Sequence, residues 1–102
     1  MSENPLPAYA EIDPETLELV QKIDESTFTD GALSAKVKLL IAMALDASHG
    51  IPAGVRGLAM RAKAEGATKA EIAEALRVAF AIYGSGCIYI ASTAFKDLDL
   101  GE

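Results

Sequence analysis

One cysteine, one histidine and no tryptophan occur in the 102 residues. The single thiol, Cys87, cannot close a disulfide within the chain, so a reducing compartment is expected rather than a disulfide-stapled secreted fold. One His and one Cys fall far short of a ligand set, and no metal and no cofactor is expected. Cations are scarce as well: nine Lys and Arg stand against fifteen Asp and Glu, a net charge of −6. That balance argues against nucleic acid or an anionic membrane as partner, since both require clustered positive charge. The longest apolar run, around Leu39 to Leu45, is too short to span a bilayer. The opening "MSENPLPAYAEID" has neither the basic start nor the apolar core of a secretory signal, so the protein is expected to be cytoplasmic.

What remains is globular material. Hydrophobic residues make up 51% of the chain and charged residues 24%, a composition that folds. A chain of this length builds one small core, and the apolar excess points to surface covered by other subunits. Residues 1–13 read as an extended arm, and residues 14–102 as one helical domain. Within the latter, "DPETLELVQKIDESTF" has Asp13 as N-cap and Pro14 at the first helical position, with Leu19, Val20 and Ile23 as its apolar stripe. "SAKVKLLIAMALDAS" is apolar almost all round after Lys38, the pattern of a helix buried on most sides. In "PAGVRGLAMRAKAEG", Val55, Leu58, Ala59 and Ala62 share one face, and Gly66 stops the helix. "TKAEIAEALRVAFAIYG" opens with Thr68 and Glu71 at capping-box spacing, and Ile72, Leu76, Ala79, Phe80 and Tyr83 form its stripe. "CIYIASTAFKDL" keeps helical spacing through Cys87, Ile90, Ala91, Ala94 and Phe95. The expected fold is an all-α, single-domain bundle of about five helices.

The polar residues that could carry chemistry are few. His49 is of the one residue type that ordinarily titrates near neutrality, and Asp46 stands one turn earlier. The pair reads either as a general base with its orienting carboxylate, or as the polar end of a helix whose last carbonyls the imidazole satisfies. Asp46, Ser48 and His49 do not make a hydrolase triad, because Ser48 has no strained elbow around it. Cys87 is either a reactive thiol at a helix start or a small core hydrophobe. Arg56 is a candidate for holding a carboxylate, or else a structural arginine. "GSG" at 84–86 lacks the strand and helix of a phosphate loop.

The stretch "LLIAMALDASHGIPAGVRGLAMRAKAEGATKAEIAEALRVAFAIYGSG" resembles the carboxymuconolactone decarboxylase family, which includes the alkylhydroperoxidase D-like proteins. Its most specific part is "AKAEGATKAEIAEALRVA". The resemblance implies an alkylhydroperoxidase D-like fold that assembles with itself, as a trimer or hexamer. It also implies one of two chemistries: peroxide reduction by a Cys-x-x-Cys pair with a His four residues on, or proton transfer on an acidic lactone. At the positions where the resemblance would put the two cysteines and the histidine, this chain has Ile51, Gly54 and Leu58. No cysteine lies between Met1 and Gly86, so the two-cysteine cycle cannot run within one chain. Two functions follow: an enzyme of altered chemistry acting on a small acidic or peroxide substrate, with His49, Asp46 or Cys87 as the working group, or a non-catalytic homo-oligomeric module.

Overall fold

A side chain that accepts an amide hydrogen sets the start of three helices. The computed structural model describes residues 5–101. Asp13 accepts from the Thr16 amide at the start of α1 (Pro14–Thr27), and Ser34 from the Val37 amide at the start of α2 (Ala35–Ser48). Thr68 closes a full capping box with Glu71 at the start of α4 (Lys69–Tyr83). Between them runs α3 (Pro52–Ala64), with a proline in its first turn, and α5 (Gly86–Phe95) ends the bundle. No strand occurs among the described residues. The arm expected to be extended instead carries a 3-10 helix over Leu6–Glu11, helped by a proline in its first turn. Residues 1–4 and 102 lie outside the described residues.

Two of the turns share one device. After α2, Gly50 adopts φ +76°, the Ile51 amide donates to the Asp46 carbonyl at 3.0 Å, and the Gly50 amide donates to that of Ala47. After α3, Gly66 at φ +96° is followed by the Ala67 amide donating to the Ala62 carbonyl at 2.9 Å. This six-to-one closure satisfies carbonyls that the ending helix leaves free, and its left-handed residue is one that only glycine adopts cheaply.

Helix α2 is the hub, packing on α3, α4 and α5, while α3 and α4 each pack on α5. Met43 on α2, Val55 on α3 and Ile72 on α4 are the largest fully enclosed side chains. Around them the core is built of small residues: Ala47, Ala59, Ala62, Ala67, Ala79, Ala91 and Ala94. Small side chains let helix axes approach closely, so each larger residue is tightly held.

Burial within the folded chain falls short of the sequence pattern in three places. On α1 only Leu17 is buried, and Leu19, Val20 and Ile23 face outward. On α2, Leu39 and Met43 are enclosed but Ile41 and Leu45 are exposed. On α4, Ile72, Leu76 and Ala79 are buried, whereas Phe80 and Tyr83 are exposed beside Val78 and Ile82. Arg61 of α3 reaches α1: its guanidinium pairs with both oxygens of Asp24 at 3.1 and 3.2 Å and lies over the Phe28 ring.

Glu71 joins two elements. It accepts from the Thr68 amide at 2.9 Å and from Lys36 Nζ of α2 at 2.8 Å. The bond from Lys36, then that from Thr68, holds its carboxyl below the usual glutamate range. A depressed folded pKa adds stability that is complete above the unfolded value and is lost as pH falls through the folded one. Glu71→Gln is therefore expected to unfold with a shallower acid limb than the parent. Thermal melts run from neutral pH down to pH 3 test this, and parallel curves would contradict it.

Candidate functional site

The turn between α2 and α3 is where the chain's polar candidates gather. Asp46, Ser48 and His49 occupy the last turn and cap of α2, and the chain reverses through Gly50, Ile51 and Pro52 into α3. The reversal brings the Asp46 side chain against the first turn of α3. A Cβ built on Gly54 falls onto Asp46 Oδ2, and lies 2.8 Å from Asp46 Cγ and 3.2 Å from Ile51 Cγ2. The Asp46 carboxyl is thus packed on α3 where a side chain at 54 would otherwise stand. Burial raises its pKa, and the electrostatic pull of His49 offsets part of that rise.

His49 does a different job. Its Nδ1–H donates to the Leu45 carbonyl at 2.7 Å, in the tautomer that this bond requires. The same oxygen receives the His49 amide at 3.0 Å and the Ser48 hydroxyl at 2.8 Å. Three donors converge on one carbonyl at the end of α2, which is how a helix terminus satisfies groups that have no next turn. The imidazole is exposed. Asp46 and His49 lie near enough to interact electrostatically, yet the hydrogen bond of Nδ1 goes to the backbone.

The family model for the carboxymuconolactone decarboxylase family matches residues 14–95. This chain belongs to the carboxymuconolactone decarboxylase family. Its fold is similar to the crystal structure of an apo carboxymuconolactone decarboxylase family protein from Legionella pneumophila, with a TM-score of 0.80 and 28% sequence identity. That similarity covers 91% of this chain and 86% of the Legionella chain. No curated protein matches the sequence significantly.

The remaining candidates of this carboxymuconolactone decarboxylase family member lie apart from the turn. Arg56 Nη1 donates to the carbonyls of Ala94 and Lys96 at 3.1 and 3.2 Å. A cation on the closing carbonyls of α5 both caps that helix and ties α3 to it. Cys87 is 3% exposed in the first turn of α5, within the core cluster. Two open surface grooves flank the bundle. One, of about 380 Å³, is lined by Ala73, Leu76, Arg77, Phe80 and Ile88. The other, of about 450 Å³, lies between the end of α1 and α2 and includes Phe28, Lys38, Ile41 and Leu45. No helix among the described residues is long and apolar enough to cross a membrane.

The sequence reading missed the role of Gly54. It placed the residue only as a position without a cysteine. No local pattern carried that signal, because the approach of Asp46 to Gly54 depends on how the turn returns α3 along α2.

Proposed function

We propose that the protein is a cytoplasmic, homo-oligomeric carboxymuconolactone decarboxylase-like enzyme that performs proton transfer on a small acidic organic substrate. The α2–α3 turn is its working site and Asp46 its proton carrier. The observation that supports this reading is the Asp46 carboxyl itself, half-buried against Gly54, with no hydrogen bond from an amide or a cation among the described residues to hold it ionised. A carboxyl with a raised pKa is a better general acid at neutral pH than an exposed one. Thiol chemistry has little support: the chain has one cysteine, and it is enclosed in the core. Steady turnover of peroxide with a dithiol reductant would overturn this part of the reading.

The sign of the Asp46 shift gives a test. Its folded pKa is raised, so ionising it in the fold costs stability as pH rises through the unfolded and then the folded value. Asp46→Asn removes that cost. The variant is expected to be at least as stable as the parent at neutral pH, yet to lose turnover on the order of 10²- to 10⁴-fold. The assay follows CO₂ release and solvent-deuterium exchange across a panel of small lactone and keto acids, with circular dichroism confirming the fold. His49→Asn keeps a local hydrogen-bonding group and is expected to retain turnover. Equal turnover by Asp46→Asn and the parent would overturn the assignment.

A second reading, a non-catalytic oligomeric module, draws on the other candidates. His49 and Arg56 both satisfy helix-terminal carbonyls, roles that need no substrate. Absence of turnover and of binding across the same panel, with the oligomer intact, is the result that favours it. Under either reading, a second copy covers the outward apolar residues of α1 and α4.

A further inference from the structure

We propose that Gly54 is a positioning residue for Asp46: the missing side chain at 54 lets the Asp46 carboxyl lie across the first turn of α3, and any larger residue turns that carboxyl out of the junction. This deepens the proton-transfer reading and rests on it for its functional meaning; its geometric content is separately testable.

Glycine at 54 has no backbone explanation. The glycines at 50, 66, 84 and 101 hold positive φ, and Gly54 is not among them. It lies within α3, where glycine is a poorer helix former than alanine. The close approach supplies the reason. A Cβ at 54 overlaps Asp46 Oδ2 and comes within 2.8 Å of Asp46 Cγ, whereas one on Gly57 of the same helix meets nothing within 4 Å. The overlapping atoms belong to a short side chain, so rotation of Asp46 relieves the overlap, and the Ile51 side chain at 3.2 Å has to give by only a few tenths of an ångström.

That rotation exchanges one environment for another. Inside the junction Asp46 faces α3 and Ile51, and burial is the main influence on it. His49, on its own helix, is the charged partner acting on it. Arg56, on α3, is directed to the carbonyls of Ala94 and Lys96. Turned out, the carboxyl regains water and loses the burial that raises its pKa.

The experiment is a carbon-detected NMR titration of Asp46 in the full-length parent, Gly54→Ala and Gly54→Ser, with thermal melts of Gly54→Ala, Asp46→Ala and the double variant. In the alanine and serine variants the Asp46 midpoint is expected to fall to the usual aspartate range with helix content unchanged. Gly54→Ala is expected to raise the melting temperature more in the Asp46→Ala background, where nothing occupies the space. An unchanged Asp46 midpoint in folded Gly54→Ala overturns the proposal. Should Gly54→Ala fail to fold, recovery of folding in the double variant supports the coupling, and failure of both overturns it. Turnover lost in Asp46→Asn together with an unchanged midpoint in Gly54→Ala sinks this inference alone. The shifted midpoint together with full turnover in Asp46→Asn sinks only the functional reading.

Discussion

Met43→Ala is expected to lower the unfolding free energy by about 2–5 kcal/mol, the range for removing a large apolar side chain from a closed core. Met43 has no exposed surface and sits on α2, the helix that packs on α3, α4 and α5 together. Seven of the twelve other buried members of its core cluster are alanines, which have no side-chain length with which to close a cavity. Collapse of the site would have to move whole helices, so the cost is expected toward the upper part of the range. A small domain has roughly 5–15 kcal/mol in total, and the loss takes a large share of it. Met60→Ala is the matched control, because Met60 is 50% exposed on α3 and surface changes stay within about 0.5 kcal/mol. Urea unfolding at one fixed protomer concentration compares them, since assembly would add to apparent stability. Similar midpoints for the two variants would show that the α2 core is not close-packed as described.

The helices were legible because their boundaries are written in local chemistry. Asp13, Ser34 and Thr68 each bond an amide within three residues, and such bonds depend on little beyond the adjacent sequence. Gly50 and Gly66 marked the turns for the same reason. The apolar stripes were legible as surface needing cover, but a stripe does not name its cover. Leu19 and Ile23 on α1 match the pattern of a core-facing helix and still face outward in the folded chain. Periodicity also overestimated α4, where Phe80 and Tyr83 join the exposed side.

The candidate site was legible as a place and less so as a mechanism. Asp46 and His49 both stood out, yet spacing alone left the imidazole as either base or cap. In the fold, the Leu45 carbonyl gathers the His49 ring, the His49 amide and the Ser48 hydroxyl, contacts that spacing did not show. Arg56 reaches carbonyls 38 and 40 residues away, and no sequence pattern carries a contact of that separation. The opposition of Asp46 and Gly54 became visible only once the turn had fixed how α3 returns along α2.

In solution, the double substitution Val78→Asp and Ile82→Asp is expected to convert the proposed assembly into folded protomers. The two residues lie one turn apart on α4 and are 65% and 76% exposed in the protomer. Tyr83 and Tyr89 add exposed aromatic surface at the adjoining ends of α4 and α5. Apolar surface gains roughly 25 cal/mol for each Å² removed from water, so a self-association burying this face gains with each Å² of it that is covered. An aspartate placed there must either lose its water or keep the surfaces apart, and an unpaired buried charge costs several kcal/mol. Since each 1.4 kcal/mol is about tenfold in affinity, two such charges move the dissociation constant by several orders of magnitude. The substituted side chains lie outside the core, and Ile72, Leu76 and Ala79 on the inner face of α4 are untouched, so helix content is expected to persist. Sedimentation velocity at micromolar protomer concentration, paired with circular dichroism, reads both quantities. A stable folded monomer for the parent chain would show that these apolar faces need no second copy. An unchanged assembly in the double variant would place the contact elsewhere, with the outward stripe of Leu19 and Ile23 on α1 next to be tested.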